Sequence, residues 1–387
     1  MINTPYFLIS ENKLKDNIEA FQTALNKIWP NSKLAYSVKT NSLPWILKYM
    51  LKQEIMAEVV SDEEYSLAKV CGYDDNKIVF NGPIKGKNML ENAFQGKAYV
   101  NIDSQNDLDC IKEIAPDSSF VGIRVNVDPK VFKEEDIGYQ EDGFRFGFSE
   151  KNGEFGRAVD IVKRFSTNTK LGLHLHCNSI TRSLDVYRSI AKYAADLIKK
   201  YELKLAFIDI GGGFFGGVEG KPSADEYISV IREELESVID CEKTTLIVEP
   251  GSAIIGSVVD LHTSVLDVKD TDYSRIVTTD GSRIHIDPLW AKERYMYSIE
   301  QVKPTEIFAK QIICGYTCMD HDRLMKIENQ PELEKGDKII YHRVGAYSMT
   351  FGGMFIRYYP DVYVETEKGL IKVRSYNNVQ DYLKIHS

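Results

Sequence analysis

Eight short apolar runs recur along the first two thirds of the chain, each followed by a helical stretch. They are LAYSVK (34–39), IMAEVV (55–60), KIVFN (77–81), KAYVNI (97–102), FVGIRVN (120–126), LGLHLH (171–176), LAFIDI (205–210) and TLIVE (245–249). Runs that are apolar on both faces read as strands covered on both sides. Such strands separated by amphipathic helices are the parallel strands of βαβ units. The intervening segments have that character, as in SLDVYRSIAKYAADLIKKY (183–201) and SADEYISVIREELESVI (223–239). Eight units predict an α/β fold built on a closed (β/α)8, TIM-like barrel, with an open doubly wound sheet as the structural alternative. Beyond about residue 255 the helices fade. SVVDLHTSVLDVKD, SRIVTTD, DKIIYHRV and the hairpin DVYVETEKGLIKVRS predict a second, mostly antiparallel β domain, a β-sandwich or barrel. The expected division is a barrel over 25–255 and a β domain assembled from 1–24 and 256–387.

Composition narrows the partners. A net charge of −9 with no basic block argues against nucleic acid and anionic membrane surfaces. The opening MINTPYFLIS lacks the basic start and apolar core of a secretion signal, and no stretch approaches a membrane span. Six cysteines in 387 residues make no disulfide framework, so a reduced, cytoplasmic protein is expected.

Polar residues stand where the apolar runs finish. Lys39 ends the first, Glu58 lies in the second and Arg124 in the fifth. His174 and His176 end the sixth, Asp209 and the GGGF run (211–214) the seventh, and Glu249 the eighth. In a barrel, chemistry gathers at the C-terminal mouth of the strands, so these residues would share one rim. A lysine in a partly dry mouth has a lowered pKa, and its neutral amine can attack a carbonyl. Backbone N–H groups of a glycine run can cradle a phosphate. A carboxylate can hold a proton on a pyridine nitrogen. Lysine, phosphate cradle, carboxylate and histidine together fit pyridoxal 5'-phosphate.

With YSVKTN, HLHCNS, GGGF, EPG, CGYTC and GAY in this order, the chain resembles, nearly end to end, the fold-type III pyridoxal-phosphate decarboxylases. These are the diaminopimelate, ornithine and arginine decarboxylases. The resemblance implies a cofactor-binding barrel plus a β domain, release of carbon dioxide from an amino acid, and a head-to-tail homodimer with shared active sites. It also implies roles. Lys39 would carry the cofactor covalently, His176 would lie against the ring face, and Glu249 would pair with the ring nitrogen. Ser179, Gly212, Gly213, Gly251 and Tyr347 would hold the phosphate, with Ser252 beside them. Arg124 would sit near the ring and its carboxylates. Cys318 would reach in from the second subunit and help protonate the product carbanion. Asp280, Cys318, Met319 and Tyr347 would face the substrate.

Three departures bear on specificity. Ser252 stands where the family places an arginine after EPG, removing a cation near the phosphate. Met319 replaces an acidic residue that would pair with a distal ammonium, and Asp287 takes the place of an arginine for a distal carboxylate. These favour a substituted or conjugated, including carrier-linked, amino acid from a specialised pathway, with a diaminopimelate, ornithine or lysine substrate as the alternative. A racemase on a similar barrel pairs its ring nitrogen with arginine, which Glu249 opposes. A catalytically dead regulator is opposed by Lys39 and Cys318. Cys314, Cys318 and His321 form a lone C-x3-C with one histidine and no second pair, so no metal is expected.

Overall fold

The computed structural model describes residues 2–116, 119–165, 169–292 and 294–387. It divides into two compact units: Asn17–Ile254, and Met1–Asp16 together with Ile255–Ser387. The chain opens with β1 (Tyr6–Ser10) and α1 (Glu11–Ile28). The boundary runs through α1, and the expected barrel start at residue 25 lies within this helix.

The Asn17–Ile254 unit is a closed parallel barrel. Its strands are β2 (Ser32–Ser37), β3 (Met56–Val59), β4 (Ile78–Phe80), β5 (Tyr99–Ile102) and β6 (Phe120–Asn126). After a two-residue strand, β7 (Phe148–Ser149), on the end of β6 come β8 (Lys170–His174), β9 (Phe207–Asp209) and β10 (Thr245–Val248). Pairing of β10 with β2 and of β5 with β6 completes the ring, so the sheet is closed rather than open. The connecting helices are α2 (Pro44–Lys52), α3 (Asp62–Val70), α4 (Lys87–Gln95), α5 (Gln105–Ile114), α6 (Glu154–Phe165), α7 (Leu184–Lys200) and α8 (Ala224–Leu235), followed by the short α9 (Ser252–Ile255). Ser61, Ser104, Ser183 and Ser223 cap four of them by accepting a first-turn N–H, which satisfies an otherwise orphaned donor.

The barrel interior is layered. Ala35, Met56, Val79, Tyr99, Phe207 and Ile247 form a buried apolar cluster, with Phe120 packed against it. Phe207 occupies the space above Gly172, where a Cβ would meet its ring atoms at 2.4 Å. Any side chain at 172 would therefore expel this aromatic plug. Nearer the C-terminal ends the same strands turn polar, with Ser37 in register with Glu58, and Arg124, His174 and Asp209 side by side. Apolar residues below and ionisable residues above place the chemistry at the mouth.

The second unit is mostly antiparallel, as the sequence predicts. It contains β11 (Val259–Asp270), β12 (Arg275–Thr279), the short α10 (Arg283–Ile286), β13 (Met296–Glu300), β14 (Ile307–Cys314), β15 (Arg323–Pro331), β16 (Lys338–His342), β17 (Asp361–Thr366) and β18 (Gly369–Arg374). The strands β17 and β18 are the expected hairpin. Two pairings are parallel, β12 with β14 and β1 with β17. The first strand thus lies between β11 and β17. A helix also closes the chain, α11 (Val379–His386), with a capping box between Asn378 and Asp381. No helix of the described residues is long and apolar enough to cross a membrane.

Candidate active site

Lys39 lies just beyond β2, in a single 3-10 turn (Val38–Thr40). The turn swings its ammonium back over the rim, where Nζ stands 2.7 Å from Glu58 Oε2. Glu58 is inaccessible to water and also accepts hydrogen bonds from Ser37 Oγ at 2.5 Å and Asn81 Nδ2 at 3.0 Å. Burial alone would raise its pKa. The charge and hydrogen bond of Lys39, helped by Ser37 and Asn81, outweigh burial and hold it below the usual value. Glu58 therefore stays anionic and orients Lys39. The lysine side chain is 38% exposed.

Across the rim lies a second pair of carboxyls. Glu249, just past β10, accepts from Asn81 Nδ2 at 2.7 Å, and Asp209, at the end of β9, accepts from Asn101 Nδ2 at 2.8 Å. Asn101 Nδ2 also donates to Asn81 Oδ1 at 2.8 Å, so one amide ladder ties all three carboxyls together. Burial, followed by the nearby Asp209 and Glu58 charges, drives the Glu249 pKa well above the ordinary range. Burial likewise raises Asp209 to about 6. A hydrogen bond links the Glu249 and Asp209 carboxyls, raising the pKa of the first and lowering that of the second against the effect of burial.

Two histidines complete this side. His174 Nε2 lies 3.8 Å from Glu249 Oε2, and neither of its ring nitrogens finds a hydrogen-bond partner among the described residues. Burial, then Arg124, pushes its pKa well below the usual value, so it is neutral. His176 lies two residues past the end of β8 and accepts from Gly212 N–H through Nδ1 at 3.3 Å, which leaves its proton on Nε2. Removal from water, with Arg124 and Lys39 adding, lowers it to about 3. Arg124 is itself buried, pairs with Asp103 at 2.8 Å and lies 4.5 Å from the centre of the Phe146 ring. A cavity of about 270 Å³ opens beside His176, lined by Arg124, Tyr139, Phe144, Arg145, Phe146 and Asn178 among others.

The glycine run approaches this histidine closely. Gly213 adopts φ 91°, and a Cβ on Gly212 would come within 2.3 Å of the Glu249 carbonyl oxygen. A Cβ on Gly251 would come within 2.0 Å of Thr40 Oγ1. Bare backbone at 212–213 and 251 thus lies near Lys39, His176 and Glu249, as the sequence leads one to expect. Ser179 is half-buried on the loop after β8, whose Ile180 N–H donates to Asp136 O. These features fit pyridoxal phosphate. Glu249 is a buried carboxyl of raised pKa, suited to pairing with a basic ring nitrogen, and the close approaches at Gly212 and Gly251 leave no room for a side chain beside the backbone N–H groups that would hold a phosphate. His174, Asp209 and Glu249 also bring ligand atoms within 4.8 Å of one another, a spacing a metal could use.

The remaining candidates belong to the second unit. Cys318 is an exposed free thiol and Met319 is half-buried beside it. Tyr347 is 37% exposed with φ 53°. Asp280 is buried, and its carboxylate accepts from Thr4 Oγ1 at 2.5 Å and Ser264 N–H at 2.8 Å. Asp287 is likewise occupied, accepting from the Arg283 guanidinium, the Lys292 N–H and the Tyr295 hydroxyl. Asn81 and Asn101 were not singled out in the sequence. An asparagine closing an apolar run reads as a turn former, and the one available signal was its recurrence on two neighbouring strands.

Comparison with known proteins places this geometry. Residues 12–256 match the family described as pyridoxal-dependent decarboxylase, pyridoxal binding domain. A probable chloroplastic diaminopimelate decarboxylase of Oryza sativa is 27% identical over 401 residues, spanning 98% of this chain and 79% of that protein. The diaminopimelate decarboxylase of Aquifex aeolicus is 25% identical over 394 residues, spanning 98% and 90%. In fold, the chain matches the crystal structure of the M. jannaschii diaminopimelate decarboxylase in complex with L-lysine, with a TM-score of 0.83 and 21% identity over 99% of this chain and 92% of that one. The chain belongs to the fold-type III pyridoxal-phosphate-dependent decarboxylases and is an amino-acid carboxy-lyase.

Proposed function

We propose that the substrate is a diamino acid of the diaminopimelate type. The observation that carries this reading is the match to named diaminopimelate decarboxylases over 98% of the chain. The cavity beside His176 supports it, because Arg145 supplies a guanidinium among aromatic walls, a lining suited to a carboxylate-bearing side chain.

Pyridoxal phosphate supplies the electron sink for the pair left at Cα when carbon dioxide departs. The protein's residues do the rest. Lys39 holds the cofactor and is kept in place by Glu58. Glu249, aligned by Asn81 and linked to Asp209, would pair with the ring nitrogen and help keep a proton there. Neutral His176 would lie against the ring face without adding charge. Ser179, Gly212, Gly213, Gly251, Ser252 and Tyr347 receive the phosphate. The partner subunit's Cys318 returns a proton to Cα in a shared-site homodimer. Mixing inactive Lys39→Ala and Cys318→Ala subunits is expected to restore activity through one good site per heterodimer. Confirmed subunit exchange without recovery would refute the shared site.

The specialised substrate remains a second reading. Met319 is apolar where a distal ammonium wants a carboxylate, and Asp287 is consumed by its own turn. The deciding test is kcat/KM for diaminopimelate, lysine, ornithine and conjugated amino acids. Diaminopimelate is expected to reach about 10⁴ M⁻¹s⁻¹ or more. Arg145→Met should raise KM for diaminopimelate by about tenfold, the worth of one charge-assisted contact, and leave lysine little changed. Turnover confined to conjugates would move the assignment to the second reading, and Met319→Asp should then improve lysine and ornithine relative to them.

A further inference from the structure

Ser252 leaves the phosphate side of the site without the cation expected there, and the structure points to a replacement. Cations at the barrel mouth are mostly committed: Lys39 to Glu58, Arg124 to Asp103 and the fully buried Lys85 to Asp107. Arg182 is different. Its Nη1 donates to Ser252 Oγ at 3.2 Å, its guanidinium lies 5.4 Å from the centre of the Phe215 ring, and no carboxylate pairs with it among the described residues. Phe215 directly follows the GGGF run, so Arg182 spans from the glycine loop to the EPGS turn.

The placement is enforced locally. Arg182 adopts φ 52°, in the left-handed region that costs a non-glycine residue free energy. Its carbonyl accepts from the Tyr227 hydroxyl at 2.6 Å, and that oxygen in turn accepts a long 3.5 Å contact from Phe215 N–H. On either side, Thr181 Oγ1 and Ser183 Oγ donate to the buried Asp136 carboxylate. A half-buried guanidinium on an anchored loop, hydrogen-bonded to the Ser252 hydroxyl, is a preorganised anion contact. Lys221 also lies against Phe215, at 5.1 Å, but it is exposed and its field is screened by solvent.

We infer that Arg182 provides the positive charge for the cofactor phosphate, taking over from the position occupied by Ser252. The inference rests on the proposed phosphate cradle at 212–213 and 251–252. Its test is binding rather than turnover. Apoprotein is titrated with pyridoxal phosphate and, separately, with pyridoxal, which has the ring and aldehyde but no phosphate. Arg182→Gln is expected to weaken pyridoxal phosphate at least tenfold while leaving pyridoxal within twofold. Arg182→Lys should retain most of the preference, and adding Ser252→Arg to Arg182→Gln should restore it. An unchanged preference in Arg182→Gln, or equal weakening of both ligands, overturns the inference. Wild-type protein with no preference for pyridoxal phosphate over pyridoxal would instead overturn the phosphate cradle itself.

Discussion

Lys39→Ala is expected to lose the covalent bond between protein and cofactor and to lower turnover by about 10³-fold or more, the scale of removing one aimed catalytic group. Borohydride trapping followed by peptide mapping should find the label on Lys39 in the wild type and nowhere in the variant. A label on another lysine would displace Lys39 from its role. The same substitution also removes the cation facing a water-inaccessible carboxylate. Stripping a buried ion of its partner costs about 3–5 kcal/mol. The cost here is smaller, because Lys39 is 38% exposed and Ser37 and Asn81 still donate to Glu58. The pH dependence has a definite sign. In the wild type the Glu58 pKa is depressed, so its contribution is present above the unfolded value and fades as pH falls. Without Lys39 its burial dominates and its pKa rises, so the apoprotein variant should lose ground to wild type as pH increases.

Glu249→Gln should move activity and stability in opposite directions. Turnover is expected to fall by about 10²–10³-fold, because a neutral amide cannot exchange a proton with the ring nitrogen. The apoprotein should become more stable at neutral pH. The folded Glu249 pKa lies well above its ordinary 4.5, so the native state holds a proton that the unfolded chain has released. Stability from this site therefore falls as pH rises above that value, and glutamine is spared the loss. The melting-temperature gain of apo Glu249→Gln over wild type should grow as pH rises above the ordinary value of 4.5. A gain that stays flat as pH rises would mean that Glu249 is anionic without cofactor.

Much of this site could be read from the chain because its residues sit at strand ends, where an apolar run stops abruptly. Lys39, His176, Asp209 and Glu249 announce themselves in that way, and Glu58 and Arg124 as single charges inside apolar runs. What escaped is set by neighbours in space rather than in sequence. Arg182 gains meaning only because the loop after β8 meets the turn after β10. The amide ladder of Asn81 and Asn101 exists only because β4 and β5 are adjacent. In the β unit, β13 exposes alternate residues and has no buried run to betray it. The terminal helix α11 was likewise missed, in a region otherwise dominated by strand patterns. Asp280 and Asp287 show the reverse case. Asp280 reads as a substrate contact and Asp287 as the replacement of an arginine, and both accept hydrogen bonds within their own unit.

The place of the first strand governs the order of assembly. Tyr6 is paired with His262 on one side and Asp361 on the other. During synthesis β1 emerges first, yet its partners follow only after the entire barrel has been translated. The barrel can build up through successive βαβ neighbours, and it closes once β10 is available to pair with β2. The β unit must wait, its opening strand carrying two unsatisfied edges that invite pairing with other chains. Loss of residues 361–374 would therefore leave a cofactor-binding barrel beside an incomplete sheet. Aggregation of nascent or truncated chains is the expected outcome, even where the barrel itself is intact.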